Sequence, residues 1–312
     1  MMKKLCSIVI PVFNEIEGLA AFHASLISVV TEMNLEAEII YVDDGSSDGT
    51  GALLESLAST DSRITPLYLS RNFGHQAALT AGLDLAKGDV IISMDSDGQH
   101  PPAMLAHMID LIELGYDIVQ TQRIESSTQP FLKRSTSAFF YKIINKISGT
   151  YIQPNSADFR ALSRQALDGL KTMPEYHRFL RGMIAWMGYK SIILPYEEPL
   201  RTAGVSKYSF GKMIRLASDA VFSFSLVPLY IGLSIGGLFI ILALVQMIYV
   251  AYLWMAGLDE RIVPGWSSLM AVLLIASGII MILLGFLGVY IGYIFQQVKS
   301  RPIYLVKKTP DR

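Results

Sequence analysis

The chain has 312 residues, a formal net charge of -1 and a mean hydropathy of +0.40, with 52% hydrophobic and 17% charged residues. This composition is too apolar for an ordinary soluble protein and too charged for a pure membrane bundle, so a soluble part joined to a membrane part is expected. The near-zero net charge gives no reason to expect nucleic acid as a partner, and the single cysteine, Cys6, excludes an intramolecular disulfide.

Short apolar runs alternate with helical patterns along the N-terminal part of the chain. The first run, 5–13, follows two lysines as a signal peptide would, but Pro11 and the polar pair Asn14-Glu15 interrupt it, so a buried strand of a cytoplasmic domain is expected instead. β-rich runs separated by helical patterns predict an α/β domain in which helices cover both faces of a parallel sheet. The predicted strands are 7–12, 38–42, 64–69 and 90–94, and the predicted helices are 17–31, 48–58 and 76–86.

Polar clusters follow three of these predicted strands. In order along the chain they are Asn14-Glu15, Asp43-Asp44 and Asp95-Ser96-Asp97. Because ligands of such sheets bind beyond the carboxyl ends of the strands, we expect the clusters to meet at one site. Asp95, Asp97 and Gln99 carry the oxygen ligands that suit Mg²⁺ or Mn²⁺, and such a cation can neutralise a departing diphosphate. The simpler alternative to a metal site is that Asp95 and Asp97 are solvated acids of a loop and bind no metal.

Residues 131–147 mix basic residues with bulky apolar ones at helical spacing. This pattern is typical of a helix that lies in the membrane interface. A core helix with a solvated basic face would produce the same spacing. The apolar segments later in the chain favour the interfacial helix.

Two long segments near the C-terminus lack charged residues. No Asp, Glu, Lys or Arg occurs from Ala220 to Leu258 or from Ile262 to Val298, and each run exceeds the ~20 residues that a membrane-spanning helix needs. We therefore predict transmembrane helices at about 228–255 and 268–296. Basic residues flank both outer ends, which places those ends in the cytoplasm by the positive-inside rule.

The sequence thus predicts an integral membrane protein with its soluble domain in the cytoplasm. The predicted parts are a soluble domain at 1–210, a juxtamembrane amphipathic segment at 211–227, the two spans within 228–298 and a basic tail at 299–312.

Several motifs in this order resemble those of a known enzyme family. They are Pro11-Val12-Phe13-Asn14-Glu15, Asp43-Asp44-Gly45-Ser46-Ser47-Asp48-Gly49-Thr50, Arg71-Asn72-Phe73-Gly74, Asp95-Ser96-Asp97-Gly98-Gln99-His100-Pro101-Pro102, Asp158-Phe159-Arg160 and Arg201-Thr202-Ala203-Gly204-Val205-Ser206-Lys207-Tyr208. Together they resemble family 2 glycosyltransferases with the GT-A fold, which implies a Rossmann-like, mostly parallel sheet. Among these enzymes the closest resemblance is to the polyprenyl-phosphate glycosyltransferases, which include bactoprenol glucosyltransferases and dolichol-phosphate mannose synthases. The resemblance covers nearly the whole chain.

The resemblance implies an activity. A hexose would pass, with inversion, from a nucleotide-sugar to a polyprenyl phosphate (undecaprenyl or dolichyl phosphate) on the cytoplasmic leaflet, with Mg²⁺ or Mn²⁺ as cofactor. UDP-glucose is the first donor to consider and GDP-mannose the second. A processive polysaccharide synthase and a non-catalytic membrane sensor of nucleotide-sugars are further alternatives, and a homo-oligomer is left open.

The resemblance also implies roles at matching positions. Donor-binding positions are Pro11, Phe13, Glu15, Asp43, Asp44, Asp95 and Ser96. Metal-binding positions are Asp95, Asp97 and Gln99. Positions for the acceptor and other phosphates are Arg123, Arg134, Ser137, Arg201, Ser206 and Lys207. Asp158 joins Asp95 and Asp97 in the predicted catalytic set, as a carboxylate that orients the acceptor side or acts as a base. His75 and Gly98 receive no role, because relatives often have lysine and leucine there.

Overall fold

The computed structural model describes residues 4–124, 153, 156–197, 227–256 and 265–308. The chain divides into two compact units, one made of residues 1–217 with 301–312 and the other of residues 218–300. The predicted interfacial helix at 131–147, nearly all of the predicted juxtamembrane segment and the turn between the predicted spans lie outside the described residues.

The first unit is built around one mixed sheet. Within the described residues its strands are β1 (Cys6–Val12), β2 (Ala37–Asp43), β3 (Ile64–Leu69), β4 (Val90–Ser93), β5 (Ile118–Arg123), β6 (Ser156–Ser163), β7 (Ser191–Tyr196) and β8 (Val306–Lys308), in the order β7-β5-β6-β4-β1-β2-β3-β8. Its described helices are α1 (Ile16–Glu32), α2 (Thr50–Thr60), α3 (His75–Leu85), α4 (Leu105–Glu113), α5 (Arg164–Lys171) and α6 (Leu180–Trp186).

The four strands predicted from the apolar runs form the parallel half of this sheet. β1 pairs in parallel with β2 and β4, and β2 pairs in parallel with β3. Each side chain of β1 and β2 is buried, as expected for strands that helices cover on both faces. The predicted strands and the helices between them are confirmed, with bounds that differ by at most two residues.

Helices pack closely on this parallel half. In α1, the buried side chains of Leu19, Phe22, Leu26 and Val30 recur at the spacing of one helical face. In α3, a Cβ added at Gly82 would overlap the Val9 side chain. A glycine at this position therefore lets α3 approach the sheet backbone closely, and α3 begins at the carboxyl edge of the strands.

The other half of the sheet contains antiparallel pairings. β6 runs antiparallel between β4 and β5, while β7 pairs in parallel with β5. The Ser93 and Thr121 hydroxyls, on either side of β6, donate to the Asp158 and Phe159 carbonyls at 2.6 Å each. The sheet is therefore mostly parallel, as the resemblance to the GT-A fold implied, and β6 brings Asp158 beside the end of β4.

The C-terminal residues also contribute to the sheet. β8 pairs antiparallel with β3 at its edge. The Ser70 N–H donates to the Leu305 carbonyl at 2.8 Å, and the Tyr304 hydroxyl donates to Asp84 Oδ2 at 3.0 Å. Part of the segment predicted as a basic tail is thus a strand of the first unit. The reason is that β3 would otherwise present an edge of unpaired backbone groups.

The second unit consists, in its described part, of two long helices, α7 (Val227–Met255) and α8 (Trp266–Val298). They contact one another, and Gly232 of α7 lies against Leu283 of α8. Among the described residues, one helical segment, Ile275–Val298, is long and apolar enough to cross a membrane. The helices coincide with the predicted spans, and the prediction that both cross a membrane remains a prediction.

Candidate active site

The loops after β1 and β2 are joined by hydrogen bonds. The Asn14 N–H donates to Ser46 Oγ at 2.9 Å, and the Ser47 N–H donates to Asn14 Oδ1 at 2.9 Å. The Glu15 N–H donates to Thr50 Oγ1 at 3.0 Å. Asn14 has φ of 52°, a backbone conformation that asparagine tolerates better than most residues. These contacts hold the two polar clusters side by side, as the sequence predicted.

Asp48 joins the starts of two helices. Its Oδ2 accepts the Ile16 N–H at 3.1 Å, and its Oδ1 accepts the Thr50 N–H at 3.0 Å and the Thr50 hydroxyl at 2.6 Å. A carboxylate is favourable at a helix N-terminus. Burial opposes its charge, but the Thr50 and Ile16 donors outweigh burial and hold the pKa of Asp48 below its usual value. Sequence reasoning gave Asp48 no role, although its position in the second motif was a signal.

Asp44 fastens a third loop to the other two. Its Oδ1 accepts the Phe73 N–H at 2.7 Å and its Oδ2 accepts the Gly74 N–H at 2.9 Å. Burial raises the pKa of Asp44, while these N–H groups act in the opposite direction. Gly45 has φ of +72°, and a Cβ there would lie 2.6 Å from the carbonyl carbon of Arg71. Asp44 is therefore a brace of the site, and its predicted contact with the donor stays a prediction.

The predicted donor-binding residues gather at the carboxyl edge of the sheet. Pro11 is buried in β1, and Phe13 and Glu15 are half-buried just beyond that strand. Asp43 ends β2, and its Oδ1 accepts the Ser46 N–H at 2.9 Å. Ser96, beyond β4, is buried. Asp44 and Asp95 complete the set at the same edge.

The two carboxylates predicted to bind the metal, Asp95 and Asp97, follow β4. The Asp95 side chain is 29% exposed, and Asp97 Oδ1 accepts the Gln99 N–H at 3.0 Å. Within the described part of the chain, no group of three or more His, Cys, Asp or Glu side chains could hold a metal ion. Two hard carboxylates nevertheless suit Mg²⁺ or Mn²⁺ when other oxygens complete the coordination. The carboxylates of Asp95 and Asp97 therefore suit a cation whose remaining ligands come from a substrate.

His100 holds the loop that follows β4. It is fully buried, and its Nδ1 accepts the Asp95 N–H at 2.8 Å. Its ring stacks on Phe159 with a centroid distance of 5.0 Å and an interplanar angle of 15°. Burial, the largest effect, lowers the pKa of His100 despite nearby carboxylates, and the charge of Arg123 acts in the same direction. Sequence reasoning missed this residue because nothing in the local pattern indicates its contacts.

Asp158 is buried among cationic side chains. Its Oδ1 accepts hydrogen bonds from Arg160 and, at 3.1 Å, from Arg181 Nε. Its Oδ2 accepts from Arg181 Nη2 at 3.1 Å and lies 3.3 Å from His75 Nε2. Burial disfavours the charge, but Arg181, His75 and Arg160 hold the pKa of Asp158 well below its usual value. A carboxylate so placed stays ionised and engaged, which suits an orienting role better than that of a base.

His75 lies between Asp158 and Asp95, one of the predicted metal ligands. Its Nε2 is 3.7 Å from Asp95 Oδ1 and 3.3 Å from Asp158 Oδ2. Burial acts against its charge, but Asp95 and Asp158 together raise the pKa of His75 to about 9. The sequence had assigned nothing to His75, and its position directly after the third motif was the only signal available.

One predicted phosphate-binding residue is described. Arg123 ends β5 and is half-buried, and it is near enough to His100 to disfavour protonation of that ring. The other predicted phosphate-binding residues, which lie outside the described part of the chain, are Arg134, Ser137, Arg201, Ser206 and Lys207.

Residues 7–170 match the family model for glycosyl transferase family 2. The chain belongs to this family. It is 40% identical over 306 residues to a prophage bactoprenol glucosyl transferase homolog of Escherichia coli K12, covering 97% of this chain and 98% of that one. It is 38% identical over 307 residues to the bactoprenol glucosyl transferase of Shigella phage SfII, covering 97% of each chain.

Among solved structures, this chain is similar to glucosyl-3-phosphoglycerate synthase from Mycobacterium tuberculosis, which was crystallised with Mn²⁺, UDP-glucose and phosphoglyceric acid. The TM-score is 0.48 at 16% identity, over 70% of this chain and 78% of the other. The family membership and the glycosyltransferase relatives make this chain an enzyme, a glycosyltransferase with a GT-A-like α/β fold.

Proposed function

We propose that this glycosyltransferase transfers glucose from UDP-glucose to a polyprenyl phosphate on the cytoplasmic face of a membrane. The observation that carries the proposal is its similarity, over 97% of both chains, to a bactoprenol glucosyl transferase. That match includes the apolar C-terminal helices as well as the sheet. GDP-mannose is the alternative donor that a test must include.

The donor would lie across the carboxyl edge of β1, β2 and β4. Pro11, Phe13, Glu15 and Asp43 line the nucleoside side of this edge, where the Asp44 brace keeps the loops together. Asp95 and Asp97, with Gln99, would hold Mg²⁺ or Mn²⁺, and the bound cation would neutralise the negative charge of the departing nucleotide. Ser96, between these two carboxylates, would contribute to donor binding.

The acceptor phosphate needs orientation more than it needs a base. A phosphomonoester has a second pKa near ~6, so its oxygens are already nucleophilic at neutral pH. Arg123, with Arg134, Arg201 and Lys207, would draw this phosphate to the anomeric carbon, and Ser137 and Ser206 would add hydrogen bonds. Asp158 would orient Arg160 and Arg181 beside the same position. A single displacement by the phosphate oxygen inverts the anomeric centre.

The apolar helices would keep the enzyme with its lipid substrate. A polyprenyl chain stays in the bilayer because each buried CH₂ contributes ~0.8 kcal/mol. Ile275–Val298 has the length and composition of a span, and α7 contains no charged residue. Two crossings would put the segments before α7 and after α8 on the same side of the membrane, and the basic residues that flank the helices make this side the cytoplasm by the positive-inside rule.

Transfer assays with purified enzyme and undecaprenyl phosphate test this function. We expect labelled glucose to move from UDP-glucose to the lipid, and chelation to abolish transfer until Mg²⁺ or Mn²⁺ is restored. Asp97→Asn should lose about 3–4 kcal/mol of transition-state stabilisation, which is a fall of about two to three orders of magnitude in rate. The control, Asp110→Asn, changes an exposed carboxylate of α4 and should keep full activity.

Three results would contradict the proposal at different points. Transfer only from GDP-mannose would change the donor. Full activity in chelator, or in Asp97→Asn, would remove the metal from the mechanism. Absence of transfer to the lipid phosphate from any nucleotide-sugar would overturn the proposed reaction.

A further inference from the structure

The Asp95 carboxylate lies between two imidazole rings, and one of them is fully buried. Asp95 Oδ1 is 3.7 Å from His75 Nε2, and Asp95 Oδ2 is 3.8 Å from His100 Nε2. His75 is 37% exposed, whereas His100 has no exposed surface. The two rings therefore approach Asp95 from different environments, and His100 does so from within the protein.

The hydrogen bond at the other ring nitrogen defines the state of His100. Its Nδ1 accepts the Asp95 backbone N–H at 2.8 Å, so Nδ1 carries no proton. The ring proton is therefore on Nε2, which makes Nε2 a donor. The direction of this one bond is sufficient, because a backbone N–H can only donate.

The Nε2 donor has no hydrogen-bond partner among the residues that the structure describes. A buried donor without a partner costs about 1–3 kcal/mol, so its retention calls for a partner in some state of the enzyme. The nearest carboxylate oxygen is Asp95 Oδ2, just beyond hydrogen-bonding distance at 3.8 Å. Phe159 stacks on the ring and Tyr196 contacts its edge at 6.2 Å between centroids. The ring is therefore packed on two sides, whereas the Asp95 side chain is partly exposed.

We propose that His100 is a positioning residue for the metal site, which aligns Asp95 through both ring nitrogens. Nδ1 holds the Asp95 backbone, and Nε2–H donates to Asp95 Oδ2 when that carboxylate is a metal ligand. This inference rests on the proposed function, in which Asp95 holds a divalent cation. Metal-ligating carboxylates are commonly oriented by such hydrogen bonds, and their loss lowers metal affinity by about 10- to 100-fold.

Mn²⁺ binding to substituted enzymes tests the proposal independently of catalysis. His100→Asn keeps a side-chain acceptor near the position of Nδ1 but has no group at the position of Nε2. We expect this variant to bind Mn²⁺, followed by electron paramagnetic resonance in the presence of UDP, about 10- to 100-fold more weakly than the wild type. His107→Asn, at an exposed histidine of α4, is the matched control and should bind Mn²⁺ normally.

A measurement on the unsubstituted enzyme covers the case in which His100→Asn fails to fold. With ¹⁵N-labelled histidine, addition of Mg²⁺ and UDP should shift the Nε2–H resonance of His100 downfield as it acquires an acceptor. An unchanged resonance in the metal-bound enzyme, or normal Mn²⁺ affinity in folded His100→Asn, would overturn the role of His100 and leave the proposed function standing. Absence of Mn²⁺ binding by the wild type would overturn the role of His100 together with the metal assignment on which it rests, whereas the transfer reaction itself is tested by the assay with undecaprenyl phosphate.

Discussion

At the scale of single residues, one buried carboxylate organises the cationic side of the site. Asp158 and Arg160 are almost fully buried, and Arg181 is 23% exposed. Pairing charges inside a protein often adds little net stability compared with an apolar core, but removal of one partner leaves the other charge buried and unpaired. The Asp158 carboxylate should therefore contribute to the stability of the fold as well as to the orientation of its arginines.

Substitution of Asp158 should destabilise the protein strongly. We expect Asp158→Asn to lower the free energy of unfolding by about 3–5 kcal/mol, because Arg160 loses its counter-charge. Since the folded-state pKa lies well below the unfolded value of ~3.9, the stabilisation should be complete above pH ~4 and decline only in more acid solution. Chemical denaturation of the detergent-solubilised enzyme at several pH values measures both effects.

A partly exposed ion pair provides the control for this prediction. Asp61 pairs with Arg63 at 2.7 Å, with side-chain exposures of 18% and 32%. Asp61→Asn should cost no more than about 1 kcal/mol, as is usual for ion pairs near the surface. Equal losses in the Asp61 and Asp158 variants would show that burial of the Asp158 cluster contributes nothing of its own.

At the scale of secondary-structure elements, β8 closes the outer edge of the sheet. It covers β3 over Tyr68 and Leu69, and the neighbouring Ser70 N–H is satisfied by Leu305. An uncovered edge strand is a template for pairing with another chain. The strand that follows α8 therefore protects the first unit from association through β3.

Removal of β8 should destabilise the first unit. A chain ending after Arg301 loses the β3–β8 pairing and the Tyr304 contact, and at about 1 kcal/mol per hydrogen bond we expect a loss of about 2–3 kcal/mol. A chain ending after Lys308 keeps these contacts and is the matched control. Thermal unfolding and size-exclusion chromatography compare the two; equal melting temperatures and equal monomer fractions would show that β8 protects nothing.

At the scale of the whole molecule, the two long helices raise the question of topology. The single native cysteine should not interfere with labelling experiments. Cys6 is buried in β1, and burial raises the pKa of its thiol to about 12. At neutral pH it is therefore neither accessible nor ionised. An introduced cysteine is then the only reactive thiol in the folded protein.

Labelling of introduced cysteines tests the predicted orientation. Ser267, near the start of α8, should become accessible from outside the cell as Ser267→Cys, because the positive-inside rule places the connection between the spans there. Ser59→Cys, on the exposed face of α2, should react only after the membrane is permeabilised. Ser267→Cys that also requires permeabilisation would contradict the topology.

The local pattern of the sequence determined the parallel half of the sheet, the helices that cover it, the bounds of α7 and α8, and the meeting of three polar clusters at one edge. Each of these follows from periodicity or from the end of a strand, which neighbouring residues specify. The antiparallel placement of β6 and the pairing of β8 with β3 were decided by the tertiary structure, because these strands pair with segments far away in the chain. The tertiary structure also decided the positions of His75 and His100. Each ring lies beside a carboxylate because of packing around β4 and β6, and no local sequence pattern predicts these contacts.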